Sequence, residues 1–283
     1  MIKRKTLTRK KRKNIKNRIK KGGDKYSKVI NLVNSYQLGD QLFTIIYLIN
    51  IKDYLISNNI KVNYYIHEHH IEQAKEFITF PNIELLVLTG DRPVNTKNVW
   101  IGNKNSISNF FKNVQNNKKP FNEFLVSFFS ELGTKLGLPT ISKFEYTDKD
   151  LLTRYKNFKD IYKNNDILII NARPQSGQYN YNSKKGEWDE FIRAVSQKHK
   201  VVTTEKLDDI PCTRDDNLTI KDIAAISTSV KYIIGVNTGP LVGCFNSYAF
   251  KNVKKWYVFD NYLRYSYDNF YMNIPFNEIL LNI

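Results

Sequence analysis

Cysteine is scarce in this chain of 283 residues, which contains only Cys212 and Cys244. Two cysteines do not make a disulfide framework or a thiolate metal site, and a reducing compartment is the default for such a chain. The longest near-apolar run, residues 42–49, is too short to cross a bilayer. No apolar segment follows the basic start, as one would in a secretory signal peptide. We therefore expect an intracellular protein that is not secreted, whether cytoplasmic, nuclear or at a membrane surface.

Acidic residues are absent from residues 1–21, which contain twelve lysines and arginines. Subtracting these charges from the formal net charge of +17 leaves +5 for the rest of the chain, which is an ordinary value. Because like charges repel and apolar periodicity is lacking, we predict a disordered basic tail over residues 1–24. Nucleic acid, nuclear import or an anionic membrane would suit residues 1–21, and so would a solvated tail without a dedicated partner.

Apolar, β-branched runs alternate with segments of helical periodicity along most of the chain. The predicted strands are residues 28–34, 61–67, 83–88, 98–101, 166–171, 200–204, 232–236 and 254–259. The predicted helices are residues 42–57, 71–78, 121–136, 187–197 and 218–227, the last with Asn217 as its N-cap. Strands that alternate with helices form mainly parallel sheets. The pattern predicts an α/β protein with two halves of similar plan, divided near residue 145.

The stretch of residues 230–245 has the most informative local pattern. A buried strand, residues 232–236, is followed by Asn237, Thr238 and Gly239, and Pro240 then suits the first turn of a helix. A helix that begins there would present free N–H groups to a phosphate. The alternative is an ordinary strand–turn–helix corner of an α/β domain.

Polar loops also follow other predicted strands, at the edge of an open sheet where ligands bind. One contains Asp40, which would otherwise N-cap a helix beginning at Leu42. The loop after residues 167–170 contains Arg173 and ends at Lys184 and Lys185, whose cationic groups could reach a phosphate or remain solvated. Tyr179 and Tyr181 in the same loop could stack on a base or a sugar.

Motifs for a metal or a dinucleotide cofactor are missing. The chain has no Gly-x-Gly-x-x-Gly and no Gly-Lys-Ser/Thr phosphate loop. The adjacent acidic pairs at residues 208–209 and 215–216 would point apart on an extended chain. Residues 67–70, His-Glu-His-His, lack the zinc-binding spacing and are interpreted as a solvated junction. We therefore expect neither a metal site nor a cofactor.

Several short motifs, taken in order, resemble those of the family 9 glycosyltransferases, the heptosyltransferase-like enzymes of the GT-B fold. The matching segments of this chain are listed with the family's motif in parentheses. They are residues 38–42 (a Gly-Asp loop), 132–139 (a segment ending in Leu-Gly-Leu-Pro), 183–188 (Lys-x-Trp), 218–226 (a Leu-x-Glu-Leu-Ala-Ala-Leu-Ile helix) and 236–240 (Val-Asp-Thr-Gly-Pro). The resemblance covers residues 28–260. It implies two Rossmann-like domains that face a cleft, an acceptor domain at residues 25–145 and a donor domain at residues 146–283.

The resemblance also implies metal-independent transfer from a nucleotide-sugar donor to a glycan, protein or lipid acceptor. Asp40 would be the catalytic base. The donor phosphates would be bound by residues of the second half, which are Arg173, Lys184, Lys185, Asn237, Thr238, Gly239 and Pro240.

Two residues depart from the family pattern: Asn237 stands where the family has Asp, and Val242 where it has His. Residues 38–43 also resemble the Leu-Gly-Asn-Gln-Leu-Phe loop of fucosyltransferases, although their Arg-Arg-Gly-Asp segment is absent after Ile170. The departures leave open a catalytically inactive GT-B-like protein that binds nucleic acid or an assembly partner through its tail. Another nucleotide-binding α/β enzyme is the third alternative.

Overall fold

The structure is a computed structural model, and it describes residues 26–90, 94–99, 120–171, 179–261 and 267–283. The predicted tail and Arg173 lie outside the described residues. The predicted α/β class is confirmed, with two parallel sheets flanked by helices. None of the helices in these ranges is both long and apolar enough to span a bilayer.

The first sheet contains four described parallel strands in the order β3-β2-β1-β4. They are β1 (Lys28–Val33), β2 (Ile60–Ile66), β3 (Ile83–Val87) and β4 (Lys97–Asn98). The helices of this half are α1 (Leu38–Asn50), α2 (Lys52–Ser57), α3 (Ile71–Lys75) and α4 (Phe121–Leu136). Fully buried residues alternate with partly exposed ones along the whole of β2, which gives the sheet one fully covered face.

The second sheet contains five described parallel strands in the order β6-β5-β7-β8-β9. They are β5 (Ile167–Ile170), β6 (Val201–Thr203), β7 (Tyr232–Val236), β8 (Lys255–Phe259) and β9 (Phe270–Met272). The helices are α5 (Lys149–Asn157), α6 (Lys185–Ser196), α7 (Ile220–Ser227), α8 (Gly239–Gly243), α9 (Ser247–Asn252) and α10 (Phe276–Asn282). Every residue of β5 is buried, as expected for a parallel strand with helices on both faces.

Three sequence predictions need correction. The predicted helix of residues 42–57 is two helices, and the first begins at Leu38, so the expected loop before it is four residues shorter. Asn217 does not cap α7; it has a left-handed backbone, and Thr219 caps the helix in a capping box with Asp222. The short strand β9 was not predicted, because residues 261–283 were interpreted as partly helical.

The two halves share a continuous apolar core. The Phe121 ring at the beginning of α4 stacks on Phe270 of β9 with centroids 3.8 Å apart, and Phe43 of α1 lies 5.7 Å from Phe245. These aromatic contacts pack helices α1 and α4 of the first half against the second half.

Ion pairs also join the halves through Glu76, which follows α3. The Arg154 guanidinium on α5 lies 2.8 Å from the Glu76 carboxylate and 2.8 Å from Asp222 of α7. Lys221 donates a hydrogen bond of 2.6 Å to the Glu76 carbonyl and lies 2.7 Å from the Asp148 carboxylate. We call these five residues the ionic interface.

Candidate active site between the two sheets

The beginning of α1 meets the turn after β7 at the junction of the two halves. A Cβ built on Gly39 would lie 3.5 Å from both the Cα and the N of Gly239, and one built on Gly239 would lie 3.6 Å from the Gly39 N. The two backbones therefore lie close together, and a Cβ on either glycine would make only ordinary van der Waals contacts. We call this the glycine contact. It brings Asp40 and the predicted donor residues Thr238, Gly239 and Pro240 into one region.

Asp40 is the third residue of α1 and is half-buried. Gln37 occupies the N-cap position, so the alternative that Asp40 caps the helix is wrong. Burial raises the pKa of Asp40 to about 7, although hydrogen bonds with the backbone of Gln37 and of Asp40 itself oppose the shift. No ion pair joins this carboxylate to a cation in the described part of the chain. A carboxylate with a pKa near neutrality can accept a proton during a reaction at physiological pH.

Gln41 fixes the segment before Asp40, a role that the sequence did not reveal. Its Nε2 donates to the Tyr36 carbonyl at 2.8 Å and lies 3.3 Å from the Asn34 carbonyl, and its Oε1 accepts from Nδ1 of His70 at 2.9 Å. Burial, followed by the neighbouring imidazoles, lowers the pKa of His70 to about 4, which keeps this ring neutral. Because these partners are 5 to 29 residues away, no local motif identifies the network.

The turn after β7 has the predicted strand–turn–helix form, with Thr238 at the N-cap and Pro240 in the first turn. The Thr238 hydroxyl donates to the Val236 carbonyl at 3.2 Å, and it makes no capping bond to α8. Since α8 has only five residues, the turn offers a few free N–H groups rather than a long helix dipole.

Asn237 and Val242, the two departures from the family pattern, have different surroundings. Nδ2 of Asn237 donates to the Asp260 carboxylate at 2.9 Å. Asp260 directly follows β8, and the sequence reasoning missed it. Val242 is buried, and its Cγ2 would lie 3.5 Å from a Cβ on Gly39. Val242 thus packs against Gly39 at the glycine contact.

Lys184 and Lys185 differ in their surroundings. The Lys184 ammonium lies 5.8 Å from the centre of the Tyr179 ring, which packs against Phe259. The backbone carbonyl of Phe259 accepts a hydrogen bond from the Asn237 N–H, so Phe259 lies beside the turn after β7. Lys185 is the first residue of α6 and pairs with Asp189 at 2.6 Å, which favours a surface role.

Tyr179 and Tyr181 are not available to stack on a ligand. Both rings are buried and pack against Trp188, whose Nε1 donates to the Tyr179 hydroxyl at 3.3 Å. The stacking hypothesis is therefore wrong for these tyrosines, which are part of the core of the second sheet. Arg173 belongs to a segment outside the described residues, so its predicted role stays a prediction.

The His-Glu-His-His stretch lies at the carboxyl end of β2. His67 bonds to the Ser35 carbonyl at 2.8 Å and stacks on His69, with ring centroids 5.4 Å apart. In the described ranges, no group of three or more His, Cys, Asp or Glu side chains has an arrangement that could hold a metal ion.

Comparisons with known proteins agree with this fold. No family model and no curated protein matches the chain by sequence. The structure is similar to E. coli heptosyltransferase WaaC with ADP-2-deoxy-2-fluoro heptose, with 10% identity, a TM-score of 0.51, and coverage of 87% of this chain and 92% of that one. WaaC with ADP gives a TM-score of 0.50 at 10% identity, over 90% and 96% of the two chains.

A family 9 glycosyltransferase from Veillonella parvula is 12% identical, with a TM-score of 0.48 over 92% of this chain and 89% of that one. At such identities the two WaaC structures establish similarity of fold. The chain is therefore a GT-B-type α/β protein that is similar in fold to a heptosyltransferase, with two Rossmann-like domains that meet at the glycine contact.

Proposed function

We propose that this protein transfers a sugar from a nucleotide-sugar donor to an acceptor hydroxyl. The observation that supports this proposal best is the glycine contact, which brings Gly39, the residue before the half-buried Asp40, against Gly239 at the beginning of α8. Transfer needs both: a base for the acceptor hydroxyl and stabilisation of the leaving diphosphate.

In this reaction the acceptor oxygen attacks the anomeric carbon of the donor. Asp40 accepts the hydroxyl proton, the bond between the anomeric carbon and the phosphate oxygen breaks, and a nucleoside diphosphate leaves. The N–H groups after Thr238 and the Lys184 ammonium take up the charge of the diphosphate, as the side chain of Arg173 would. No step requires a metal ion, so we expect transfer to continue in a chelator.

We assign the acceptor, whether glycan, protein or lipid, to the first domain (residues 25–145) and the donor to the second (residues 146–283). WaaC has been solved with an ADP sugar, which makes an ADP sugar the first donor to test. A hexosyl or heptosyl group would fit the same chemistry.

The test is thermal unfolding of the full chain with ADP, UDP, GDP and CMP sugars, with and without EDTA. A donor at a hundred times its dissociation constant should stabilise the fold by about 2.7 kcal/mol, which is a shift of several degrees. Thr238→Val should reduce the shift, whereas Thr134→Val, on an exposed turn of α4, should not. A panel without any shift would contradict the proposal.

A further inference from the structure

Three neighbouring strand ends of the second sheet are joined by polar side chains. Asn237 after β7 donates from Nδ2 to Oδ2 of Asp260 after β8, at 2.9 Å. The side chain of Asn273, after β9, makes two hydrogen bonds with the backbone of Asp260. Its Oδ1 accepts from the Asp260 N–H at 2.9 Å, and its Nδ2 donates to the Asp260 carbonyl at 2.7 Å. Asn273 therefore fixes the backbone of Asp260, and the Asp260 carboxylate accepts a hydrogen bond from Asn237.

Asp260 is only 4% exposed, although it lies at the carboxyl edge of the sheet, where open α/β sheets bind ligands. A buried carboxylate is retained only when hydrogen bonds compensate for the water it loses, and the Asn237 amide supplies one of them. An ionised carboxylate only accepts hydrogen bonds, so the amide must present Nδ2 to it. The other branch of the amide, Oδ1, then lies on the side away from Asp260.

Asn237 is half-buried and directly precedes Thr238 and Gly239, the turn at the glycine contact. We propose that Asp260 is a positioning residue that fixes the Asn237 amide, so that Asn237 Oδ1 accepts a hydrogen bond from a hydroxyl group of the bound donor. The inference rests on the proposed function, since it names a recognition element of that same site. The hydroxyl belongs either to the ribose or to the transferred sugar.

The same pair explains why position 237 is not an aspartate in this chain. A carboxylate at 237 would face Asp260 at hydrogen-bond distance, and two carboxylates this close cannot both ionise. The neutral amide at 237 keeps the accepting oxygen without the charge of a carboxylate.

The experiment compares four full-length proteins: the parent, Asn237→Asp, Asp260→Asn and the double variant with both changes. Binding of a nucleoside diphosphate and of its nucleotide sugar is measured by calorimetry, using the donor class that stabilises the parent. Asn237→Asp sets two carboxylates against each other and should weaken nucleotide-sugar binding by about tenfold. Asp260→Asn keeps an acceptor for Asn237 Nδ2 but no longer dictates which end of the 237 amide faces it, and it should weaken binding by about threefold. The double variant re-forms an amide–carboxylate pair in reverse, and it should recover affinity to within about threefold of the parent.

The two ligands locate the hydroxyl. A loss confined to the nucleotide sugar assigns it to the transferred sugar, and an equal loss for the nucleoside diphosphate assigns it to the ribose. Asn58→Asp, at the exposed end of α2, is the control and should bind as the parent does. Where a single variant melts below the assay temperature, the double variant decides the question.

Single variants that bind within twofold of the parent would overturn the inference, as would a double variant that folds but does not recover. In either case, a parent that still binds and turns over the donor leaves the proposed function intact. A parent that binds no nucleotide sugar contradicts the proposed function itself, and the inference with it.

Discussion

Two of the regions where the halves of this protein meet are chemically opposite. At the ionic interface, Lys221 is 4% exposed and lies 2.7 Å from Asp148, which is 7% exposed. Arg154 lies 2.8 Å from each of three carboxylates, those of Glu76, Asp150 and Asp222. At the glycine contact, the backbones of Gly39 and Gly239 lie against each other, and the adjacent Asp40 has no ion-pair partner within the described ranges.

This difference separates charges that hold the structure from a charge that is available for chemistry. A buried charge with well-placed partners contributes a fixed geometry, and it is destabilising mainly when one partner is removed. A partly buried carboxylate without a cation has a raised pKa and reduces the free energy of unfolding, but it can exchange a proton near neutral pH. The following predictions test the contrast in order of expected effect.

Breaking the ionic interface should have the largest effect on stability. Lys221→Met leaves the Asp148 carboxylate buried without its cation, and we expect the free energy of unfolding to fall by about 3–5 kcal/mol at pH 7. Lys231→Met removes an exposed lysine paired with Asp166 at 2.7 Å and should change it by less than about 1 kcal/mol. Urea denaturation of both variants is the measurement, and equal effects would show that burial of the pair does not matter.

Removing the lone carboxylate should instead stabilise the protein, in a pH-dependent way. The folded pKa of Asp40, about 7, is above its unfolded value of 3.8, so the folded state binds more protons between these values and its stability falls as the pH rises through them. Asp40→Asn should therefore be neutral at pH 4 and should raise the free energy of unfolding by about 2–4 kcal/mol at pH 8.

Urea denaturation at pH 4, 6 and 8 measures this trend. Asp53→Asn, an exposed acid on α2, is the matched control and should show no such dependence on pH. A gain of equal size at all three pH values would contradict the assignment of a raised pKa to Asp40.

Substitution by alanine should affect stability differently at the two glycines of α8, Gly239 and Gly243. A Cβ on Gly243 would lie 2.8 Å from the Ile220 Cγ2 and 3.3 Å from the Phe77 ring, which belongs to the first half, so Gly243→Ala should cost about 1–3 kcal/mol. A Cβ on Gly239 would have no neighbour nearer than 3.5 Å, and Gly239→Ala should change stability by less than about 0.5 kcal/mol. Thermal unfolding of both variants checks this, and a larger loss for Gly239→Ala would contradict the geometry.

Long elements with strong periodicity could be predicted from the sequence. Helix α4 has the predicted bounds, because its apolar spacing is regular and Gly137 ends it with a left-handed backbone. Strand β7 also has the predicted bounds, since its apolar residues are followed at once by a polar turn. The α/β class with two halves followed from the order of such elements, and the GT-B type was implied by the resemblance of short motifs to those of a known family.

The surroundings of the site could not be predicted, because they depend on contacts distant in sequence. Helix α1 begins at Leu38 without a side-chain cap, and Gln41 orders the preceding segment through the distant His70. The bond between Asn237 and Asp260 spans 23 residues and has no local motif. By contrast, the Thr219 capping box has a local signal, since Asp222 stands three residues later, although the sequence prediction placed the cap at Asn217.

The most direct test of the account is the rate of sugar transfer by Asp40→Asn, measured together with its affinity for the donor. If Asp40 is the base, the rate should fall by about 10²–10⁴-fold while the dissociation constant for the donor changes by less than about threefold. Asp53→Asn should transfer at the parent rate. An Asp40→Asn protein that retains a third or more of the parent rate would contradict the central claim, that the lone carboxylate at the glycine contact accepts the acceptor's proton.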